Sequence, residues 1–406
     1  MKIVVLKFGG TSVGTVKKIK KVAEIIAEYK KKNYKVIVIS SAMSGVTNDL
    51  IKKSCEISGN FSDSEHDVLV SSGEQMACSL IAGRLIHKGY KSRSWLSWQV
   101  PVITLGPYKN SRINQISKNR IIKYLNEGGI PIITGFQGVN NENRITTIGR
   151  GGSDASAIMV AKFFKAKRCI IYTDVDGVYT TDPNKLKKAK KINVISYEEM
   201  LEMASLGAKV MQPVSIQDAR LNRIDIEVRS SYKKKTGTLI TKRSNLINNK
   251  IVTGISFTQN DSKVSLIGVK DKPGVAAAIF KPLSKKSINV DMVVQNISAN
   301  GRETDLTFTI KTEDLNKTKK IIQQNKKINY RKLLFERNVA KISVIGVGMI
   351  TTPGVTFRMF QTLANRGVNI KVISTSEIKI SVLIDKKNIN KALISLHKEF
   401  KLDRQK

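Results

Sequence analysis

Short apolar runs alternate with helical segments through roughly the first 245 of the chain's 406 residues. The runs at 3–6, 36–40, 130–134, 169–173 and 226–228 are typical of buried β-strands. This alternation predicts a layered α/β domain with a mainly parallel sheet. Because ligands of such sheets bind beyond the carboxyl ends of the strands, we expect the functional site near the residues that follow them, Lys7, Ser41, Gly135 and Asp174.

The first strand leads directly into Lys7-Phe8-Gly9-Gly10-Thr11-Ser12. A cation followed by glycines is typical of a phosphate site, because glycine lets backbone N–H groups approach an anion closely. The apolar spacing over 16–32 predicts a helix whose N-terminus points at the same phosphates. The motif has the spacing of neither a Walker loop nor a dinucleotide fingerprint. Taken alone, Gly9-Gly10 is equally compatible with a structural turn.

The composition is that of an ordinary globular protein, with 41% apolar residues and a length that predicts two or three domains. The first apolar run is too short for a signal peptide, and no run approaches the ~20 residues that span a bilayer. The three cysteines are scattered, so a reducing, cytoplasmic location is expected. The three histidines lack metal-ligand spacing, and no metal bound by protein groups is expected.

The formal net charge of +38 raises the question of nucleic-acid binding. The lysines are spread along the chain in short clusters, such as 30–32 and 233–235, without interleaved aromatic residues. The sequence also shows no recognisable nucleic-acid-binding module. We therefore expect no nucleic-acid partner, while the positive field would concentrate small acidic molecules near the surface.

Two polar loops contain the highest density of charged and hydrogen-bonding residues. Gly149-Arg-Gly-Gly-Ser-Asp154 combines a guanidinium, a glycine pair, a hydroxyl and a carboxylate ahead of an apolar helical segment. Arginine can clamp a carboxylate or phosphate bidentately, and a nearby aspartate can orient a lysine. Thr173-Asp-Val-Asp-Gly-Val-Tyr-Thr-Thr-Asp-Pro183 suits the base and ribose of a nucleotide whose phosphates carry magnesium. Lys209 is a candidate second phosphate lysine, although a solvated lysine explains it equally well.

Two weaker stretches add polar groups. Residues 40–48 supply hydroxyls after the second strand, but they also suit a helix cap. Ser71-Ser-Gly-Glu74 adds a carboxylate, which taken alone is better explained as a surface helix start. Phosphoryl transfer needs in-line positioning and cations on the equatorial oxygens, and Lys7, Lys209, glycine amides and magnesium would meet that need.

An internal repeat occupies the last third of the chain. Residues 264–269 match 342–347, 273–275 match 353–355, and 288–290 match 368–370. Each copy reads as strand, Pro-Gly turn, helix and strand, and a polar linker is predicted before them at 242–250. A turn at a helix start exposes backbone N–H groups that can bind a carboxylate. The repeat is either a structural duplication or a sensor of a small anionic or zwitterionic metabolite.

Together these motifs resemble the aspartate kinases. The resemblance covers nearly the whole chain and rests, in order, on Lys7-Phe-Gly-Gly-Thr-Ser-Val13, Ser41-Ala-Met43, Ser72-Gly-Glu74, Gly135-Phe-Gln-Gly138, Gly149-Arg-Gly-Gly-Ser-Asp154 and Thr173-Asp-Val-Asp-Gly-Val-Tyr179. It implies an amino-acid-kinase domain over 1–245 and two ferredoxin-like (βαββαβ) ACT domains. The first would span 264–340, and the second would combine 251–263 with 341–406. The implied reaction is ATP-dependent phosphorylation of the L-aspartate β-carboxylate to 4-phospho-L-aspartate, which leads to lysine, threonine and methionine.

The resemblance also implies roles for individual residues. The catalytic residues would be Lys7, Asp154 and Lys209, with Asp154 organising Lys7. Aspartate would be bound by Thr47, Glu74, Arg150, Gly151, Gly152 and Ser153, with Glu74 on the amino group and Arg150 on a carboxylate. ATP, with Mg²⁺ on its phosphates, would be held by Lys7, Phe8, Gly9, Gly10, Ser41, Thr173, Asp174, Tyr179, Asp182, Asn184, Lys209 and Val210. Relatives commonly carry arginine where this chain has Asn184, so the nucleotide loop departs from the family pattern there.

Regulation by lysine, threonine or both is implied by the ACT domains, as is a homo-oligomer (a dimer or a dimer of dimers) formed through them. The implied effector contacts are Asp271, Gly274, Ala276, Asp291, Gln295, Asn369 and Ile370. An effector would act by binding an inactive arrangement more tightly than the active one. Two alternatives stand beside this interpretation, a kinase for glutamate or a nucleoside monophosphate and a non-catalytic sensor. The Thr11-Ser12 pair, the tandem repeat and the intact charged residues argue against them.

Overall fold

The computed structural model describes residues 2–149, 151–207, 210–242, 250–297, 303–325 and 328–404. The chain divides into two compact units. The first comprises Met1–Val178 and Lys191–Ile247, and the second comprises Tyr179–Lys190 and Asn248–Lys406. Within the ranges described, no helix combines the length and apolarity needed to cross a membrane.

The first unit is a mixed α/β structure. Its strands are β1 (Ile3–Phe8), β2 (Lys35–Ser40), β3 (Ser92–Trp95), β4 (Val102–Leu105), β5 (Arg112–Ile116), β6 (Ile130–Thr134), β7 (Gln137–Val139), β8 (Ile145–Thr147), β9 (Arg168–Thr173), β10 (Val194–Ser196), β11 (Ile226–Ser230) and β12 (Thr238–Thr241). Its helices are α1 (Gly10–Val13), α2 (Val16–Lys31), α3 (Val46–Ile57), α4 (Asp63–His87), α5 (Asn119–Asn126), α6 (Gly152–Phe163), α7 (Tyr197–Ser205) and α8 (Pro213–Asn222).

Eight strands form the main sheet in the order β10-β12-β11-β9-β1-β2-β6-β3. All neighbouring pairs are parallel except β11 with β12. The five strands predicted from the apolar runs are β1, β2, β6, β9 and β11, so the predicted mainly parallel sheet is confirmed. Strand β1 lies between β2 and β9, which places the end of β1 near the middle of the carboxyl edge.

One face of β1 packs in the hydrophobic core, and the other face carries Lys7. Leu6 and Phe8 belong to a buried cluster that also contains the apolar faces of α2 and α4. Because successive side chains of a strand point to opposite faces, Lys7 points away from that cluster. Helix α6 contacts β1 and supplies Asp154 to the Lys7 ammonium, so it covers the face on which Lys7 lies.

A smaller four-stranded sheet, in the order β5-β4-β7-β8, completes the first unit. Strand β7 follows the main-sheet strand β6 after a short turn at Gly135 and Phe136, and β8 leads into the Gly149–Asp154 turn. Helix α4 touches this small sheet, because the Gln137 amide donates to the Ser71 carbonyl at 2.9 Å. The smaller sheet therefore joins α4 to the turn that begins α6.

The second unit contains the two repeats. Its strands are β13 (Gly254–Lys270), β14 (Val290–Ile297), β15 (Glu303–Lys311), β16 (Lys332–Ile345), β17 (Ile370–Ser376) and β18 (Lys379–Asp385), and its helices are α9 (Val275–Lys285), α10 (Leu315–Gln324), α11 (Val355–Ala364) and α12 (Ile389–Glu399). The strands form one antiparallel sheet in the order β14-β15-β13-β16-β18-β17. Each repeat has its own buried cluster.

The start of β13 pairs with the second repeat, as the resemblance implied. Residues 254–258 lie opposite 341–345, with Phe257 opposite Ile342. Further along, Asp261 to Leu266 pair with β15 of the first repeat. Both Pro-Gly turns begin helices, and Gly274 (φ +90°) and Gly354 (φ +87°) adopt the left-handed conformation that favours glycine. The two repeats have the predicted ferredoxin-like fold and share the long strands β13 and β16.

Candidate active site

The end of β1 carries a buried ion pair. The Lys7 ammonium lies 2.5 Å from Oδ1 of Asp154, in the first turn of α6, and the two side chains are 10% and 12% exposed. A carboxylate in the first turn of a helix is also favoured by the helix dipole. The two predicted catalytic residues are therefore neighbours, with the lysine held by the aspartate.

The glycine turn after Lys7 differs in part from the prediction. The Gly9 amide donates to the Tyr172 carbonyl at 3.1 Å, so it is not free for a phosphate. A short helical turn, α1, starts at Gly10, and α2 is separately capped by the Thr15 hydroxyl, which accepts from the Lys18 amide. The helix end nearest the glycines thus belongs to α1, not to the helix predicted over 16–32.

Phe8 has a structural side chain. Its ring is fully buried and stacks on Tyr172 with the centroids 4.9 Å apart. The carbonyl of Phe8 accepts from the Ser41 amide at 3.0 Å, which fixes the loop after β2 against the end of β1. Any contact of Phe8 with a nucleotide would therefore come from its backbone.

Glu74 lies inside α4 rather than at a surface helix start, and only 3% of it is exposed. Its Oε1 accepts from the Ala42 amide at 3.0 Å, whereas Oε2 has no hydrogen-bond partner among the described residues. Burial raises the pKa of the Glu74 carboxyl to about 7, against the opposing effects of the Ala42 amide and the Lys7 charge. Among the residues that the structure describes, no cation forms an ion pair with this buried carboxyl group.

The turn between β8 and α6 depends on its glycines. Gly151 adopts a left-handed conformation (φ +79°), and a Cβ on it would lie 2.8 Å from the Gln212 side chain. Its carbonyl accepts from the Asp154 amide at 2.9 Å and from the Ser215 hydroxyl at 3.2 Å. The turn is therefore tied to α8 on one side and starts α6 on the other.

These elements enclose a cavity of about 200 Å³, below the ~300–1,000 Å³ of drug-sized ligand sites and suited to a small metabolite. Helix α3 supplies Thr47 and the loop after β2 supplies Ser41. The cavity is lined by Lys7, Ser41, Thr47, Glu74, Phe136, Gly151, Gly152, Ser153 and Asp154. Eight of these nine were predicted as site residues.

Phe136 is the lining residue to which the sequence assigned no role. It has a left-handed backbone (φ +66°), and its amide donates to the Ser156 hydroxyl on α6 at 3.0 Å. The available signal was the position of Gly135-Phe-Gln-Gly138 directly after a buried strand. A bulky residue in that turn conformation is unusual, and the surrounding structure must hold it there.

The predicted nucleotide residues fall into separate places. Thr173 and Asp174 follow β9 in the first unit, and the Thr173 hydroxyl donates to the Asp174 carboxylate at 3.0 Å. Tyr179, Asp182 and Asn184 belong to the segment 179–190 of the second unit, where the Asn184 amide donates to Asp182 at 2.9 Å. Val210 lies in a turn after α7, partly exposed. None of these residues lines the cavity described above.

Two predicted residues, Arg150 and Lys209, lie outside the described residues, as does 243–249 of the predicted linker. The predicted effector residues all lie in the second unit. Asp271, Gly274 and Ala276 surround the first Pro-Gly turn, Asp291 and Gln295 lie on β14, and Asn369 and Ile370 lie at the start of β17. Strands β14 and β17 share a small buried cluster with β16 and β18. Asp291 pairs with the buried Lys341 of β16.

Comparisons with known proteins match both halves of this architecture. The amino acid kinase family matches residues 2–230, and the ACT domain matches 264–325 and 342–400. The chain is therefore of the class in which an amino acid kinase domain is followed by ACT domains. Over 99% of its length it is 41% identical to the aspartokinase of Bacillus sp. (strain MGA3), of which it covers 98%.

Solved structures agree. E. coli aspartokinase III in complex with lysine and aspartate (T-state) superposes with a TM-score of 0.82 at 26% identity, covering 98% of this chain and 100% of that one. The same enzyme with aspartate and ADP (R-state) gives 0.78 at 25% identity, with coverages of 98% and 99%. The chain belongs to the aspartokinase family.

Proposed function

We propose that the cavity at the end of β1 binds L-aspartate and that its β-carboxylate accepts the γ-phosphoryl group of ATP. In this step the bond between the γ-phosphorus and the bridging oxygen of ADP breaks as a carboxylate oxygen bonds to phosphorus. The products are 4-phospho-L-aspartate and ADP. The reaction is proposed as the first step towards lysine, threonine and methionine.

The observation that carries the proposal is the free Oε2 of Glu74 in a cavity that also holds Lys7 and Asp154. An α-ammonium group would supply the partner that Oε2 lacks within the described part of the chain, since a buried charge needs a counter-charge. Further polar groups around the cavity come from Thr47, Gly151, Gly152 and Ser153. The predicted carboxylate clamp, Arg150, remains a prediction from sequence.

Lys7 is the described cation closest to the proposed reacting centre. Its ammonium would neutralise the oxygens of the transferred phosphoryl group, and Asp154 would hold it in position. A carboxylate acceptor is already ionised at neutral pH, so Asp154 is not required as a base. Gly10 at the start of α1 and Ser41, whose amide bonds the Phe8 carbonyl, would approach the ATP phosphates.

Magnesium is proposed to enter bound to ATP. Among the described residues, no group of three or more His, Cys, Asp or Glu side chains could hold a metal ion, so the phosphates would supply most of its ligands. The chemistry it supplies is neutralisation of phosphate charge. The resemblance to aspartate kinases is also the basis for the proposed nucleotide contacts, which are Thr173, Asp174, Tyr179, Asp182, Asn184, Lys209 and Val210.

Lysine, threonine or both are proposed as effectors that bind the ACT domains, with a homo-oligomer formed through these domains. The support is the pair of glycine-led helix starts and the lysine complex of the E. coli relative, which is in its T-state. An effector that binds the inactive arrangement more tightly would lower the active population.

Aspartate-dependent ADP release by the full chain tests the proposal, with glutamate as the matched alternative substrate and with lysine and threonine added singly and together. The proposed activity predicts ADP release that requires aspartate, is far weaker with glutamate and falls when an effector is added. ADP release that ignores aspartate would refute the substrate assignment, and release that ignores both amino-acid effectors would refute the regulatory one.

A further inference from the structure

Helix α4 carries a second buried carboxylate, Asp67, whose side chain is completely inaccessible to solvent. It lies seven residues before Glu74, two helical turns or about 10 Å along the axis. Positions seven apart share one face of a helix, and Ser71 between them is buried as well. One face of α4 therefore holds Glu74 in the cavity and Asp67 beneath the neighbouring sheet.

Asp67 binds two chain segments at once. Its Oδ2 accepts from the amides of Thr147 (2.7 Å) and Lys109 (3.0 Å). Its Oδ1 accepts from the Thr147 hydroxyl at 2.7 Å and lies 3.5 Å from Nδ1 of His66. Because Lys109 is in the loop between β4 and β5, and Thr147 ends β8, the carboxylate joins the helix to both.

Thr147 in turn positions two walls of the cavity. The next residue, Ile148, donates its amide to the Phe136 carbonyl at 2.8 Å. The Gly149 carbonyl accepts from the Gly152 amide at 2.9 Å, which closes the turn that leads to Ser153 and Asp154. A shift of Thr147 would therefore move both Phe136 and the turn relative to Glu74.

We propose that Asp67 is a positioning residue for substrate recognition. It sets the distance between Glu74, which would bind the substrate ammonium, and the turn residues 151–153, which would bind the substrate's carboxylate end. This inference rests on the proposed function. A misplacement of about 1 Å in such a site can cost about 100-fold in rate, so loss of the Asp67 contacts should impair the use of aspartate.

Substitution of Asp67 by alanine in the full chain tests the inference. The variant removes the acceptor of two buried amides, and we expect the KM for aspartate to rise about 10-fold or more while the KM for ATP stays within about 2-fold. Asp67→Asn is the conservative rescue, because its amide oxygen can accept both N–H groups and its NH₂ can meet the Thr147 hydroxyl. We expect Asp67→Asn to keep the KM for aspartate near that of the wild type.

The matched control is Thr104→Val, which breaks a buried hydroxyl pair with Thr146 in the same small sheet without touching the turn. Equal changes in both KM values for Asp67→Ala, or an aspartate KM that rises as much in Thr104→Val, would overturn the inference. If Asp67→Ala does not fold, the inference is tested by comparing Thr147→Val with Thr147→Ser. Only Thr147→Val loses the hydroxyl that donates to Asp67. Identical KM values for aspartate in these two variants would overturn the inference. Wild-type chain that turns over no aspartate would instead refute the proposed function.

Discussion

Lys7 on β1 and Asp154 on α6 form an ion pair at 2.5 Å, although 147 positions separate them in sequence (154 − 7). Both side chains are about nine-tenths buried, so solvent screens the pair little. Breaking such a pair on one side leaves a buried charge uncompensated. The pair is therefore both a structural contact between strand and helix and the proposed source of phosphate-neutralising charge.

Substitution of Lys7 by alanine is expected to lower kcat by roughly 100-fold or more, as happens when one preorganised donor to a developing charge is removed. The fold is expected to persist, which circular dichroism would verify. Lys91→Ala is the matched control, because Lys91 pairs with Glu127 at 2.7 Å but is half exposed. Turnover near the wild-type level in Lys7→Ala would contradict the assignment of the phosphate site.

The affinity for aspartate should depend on pH through Glu74. Its pKa is raised to about 7 by burial, so the free enzyme gains the ionised form as pH rises through 7. The ionised form attracts an ammonium, and we expect the KM for aspartate to fall by about 10-fold between pH 6 and pH 8. Initial rates over this range check the prediction, with the KM for ATP as the internal reference.

Glu74→Gln should give a high KM for aspartate that hardly changes over the same pH range. The amide keeps an oxygen for the Ala42 N–H group but cannot ionise. A pH profile that survives the substitution would show that another group controls it.

The same raised pKa makes Glu74 a destabilising group at high pH. A carboxyl whose pKa is higher in the folded than in the unfolded state holds its proton better when folded, so stability is lost as pH rises from about 4.5 to about 7. We therefore expect Glu74→Gln to raise the free energy of unfolding by roughly 1–3 kcal/mol at pH 8 and little at pH 4. Urea denaturation at the two pH values measures it, and the exposed Glu127→Gln serves as control. A stabilisation that is equal at both pH values would contradict this origin.

Local sequence patterns predicted the main sheet because its strands are continuous buried runs bounded by polar turns. The five runs correspond to β1, β2, β6, β9 and β11, and the charged residue after the first run is the one that meets Asp154. The repeat likewise predicted the two ACT-like halves, because each copy carries its own Pro-Gly helix start. Such patterns can be recognised in the sequence because each one is formed by residues that are close together along the chain.

The sequence does not predict contacts between segments that lie far apart along the chain. Nothing near Gly9 indicates that its amide is taken by Tyr172, and nothing near Asp67 indicates that it binds Thr147. Ser71-Ser-Gly-Glu74 looked like a surface helix start, whereas burial of α4 against the sheet places Glu74 in the cavity. These features depend on tertiary packing, which a single sequence does not reveal.

Gln295 is expected to affect regulation without affecting catalysis. It is exposed on β14 of the second unit, in the first repeat. We expect Gln295→Ala to weaken inhibition by lysine, threonine or both by about 10-fold or more, because effector coupling is typically 1–3 kcal/mol. The kcat without effector should not change. Gln323→Ala, on the exposed side of α10, is the control. Inhibition curves identical to those of the wild type would remove Gln295 from the effector site.

His397 on α12 links the segment 179–190 to the rest of the second unit. Its Nε2 lies 2.9 Å from the Thr180 hydroxyl, and the Thr180 carbonyl accepts from the Ile255 amide at 2.7 Å. Burial lowers the pKa of His397, against a smaller opposing effect of Asp403. The folded protein therefore favours the neutral imidazole.

A histidine whose pKa is lowered by folding stabilises the protein above its unfolded pKa, and that stabilisation is lost as pH falls below about 6.5. We expect the protection of the 179–190 amides against exchange, measured relative to the intrinsic rate at each pH, to fall between pH 7 and pH 5, and His397→Gln to abolish this fall. His87→Gln, at an exposed position in the first unit, should leave it unchanged. If the segment loosens equally in His397→Gln, protonation of His397 is not its cause.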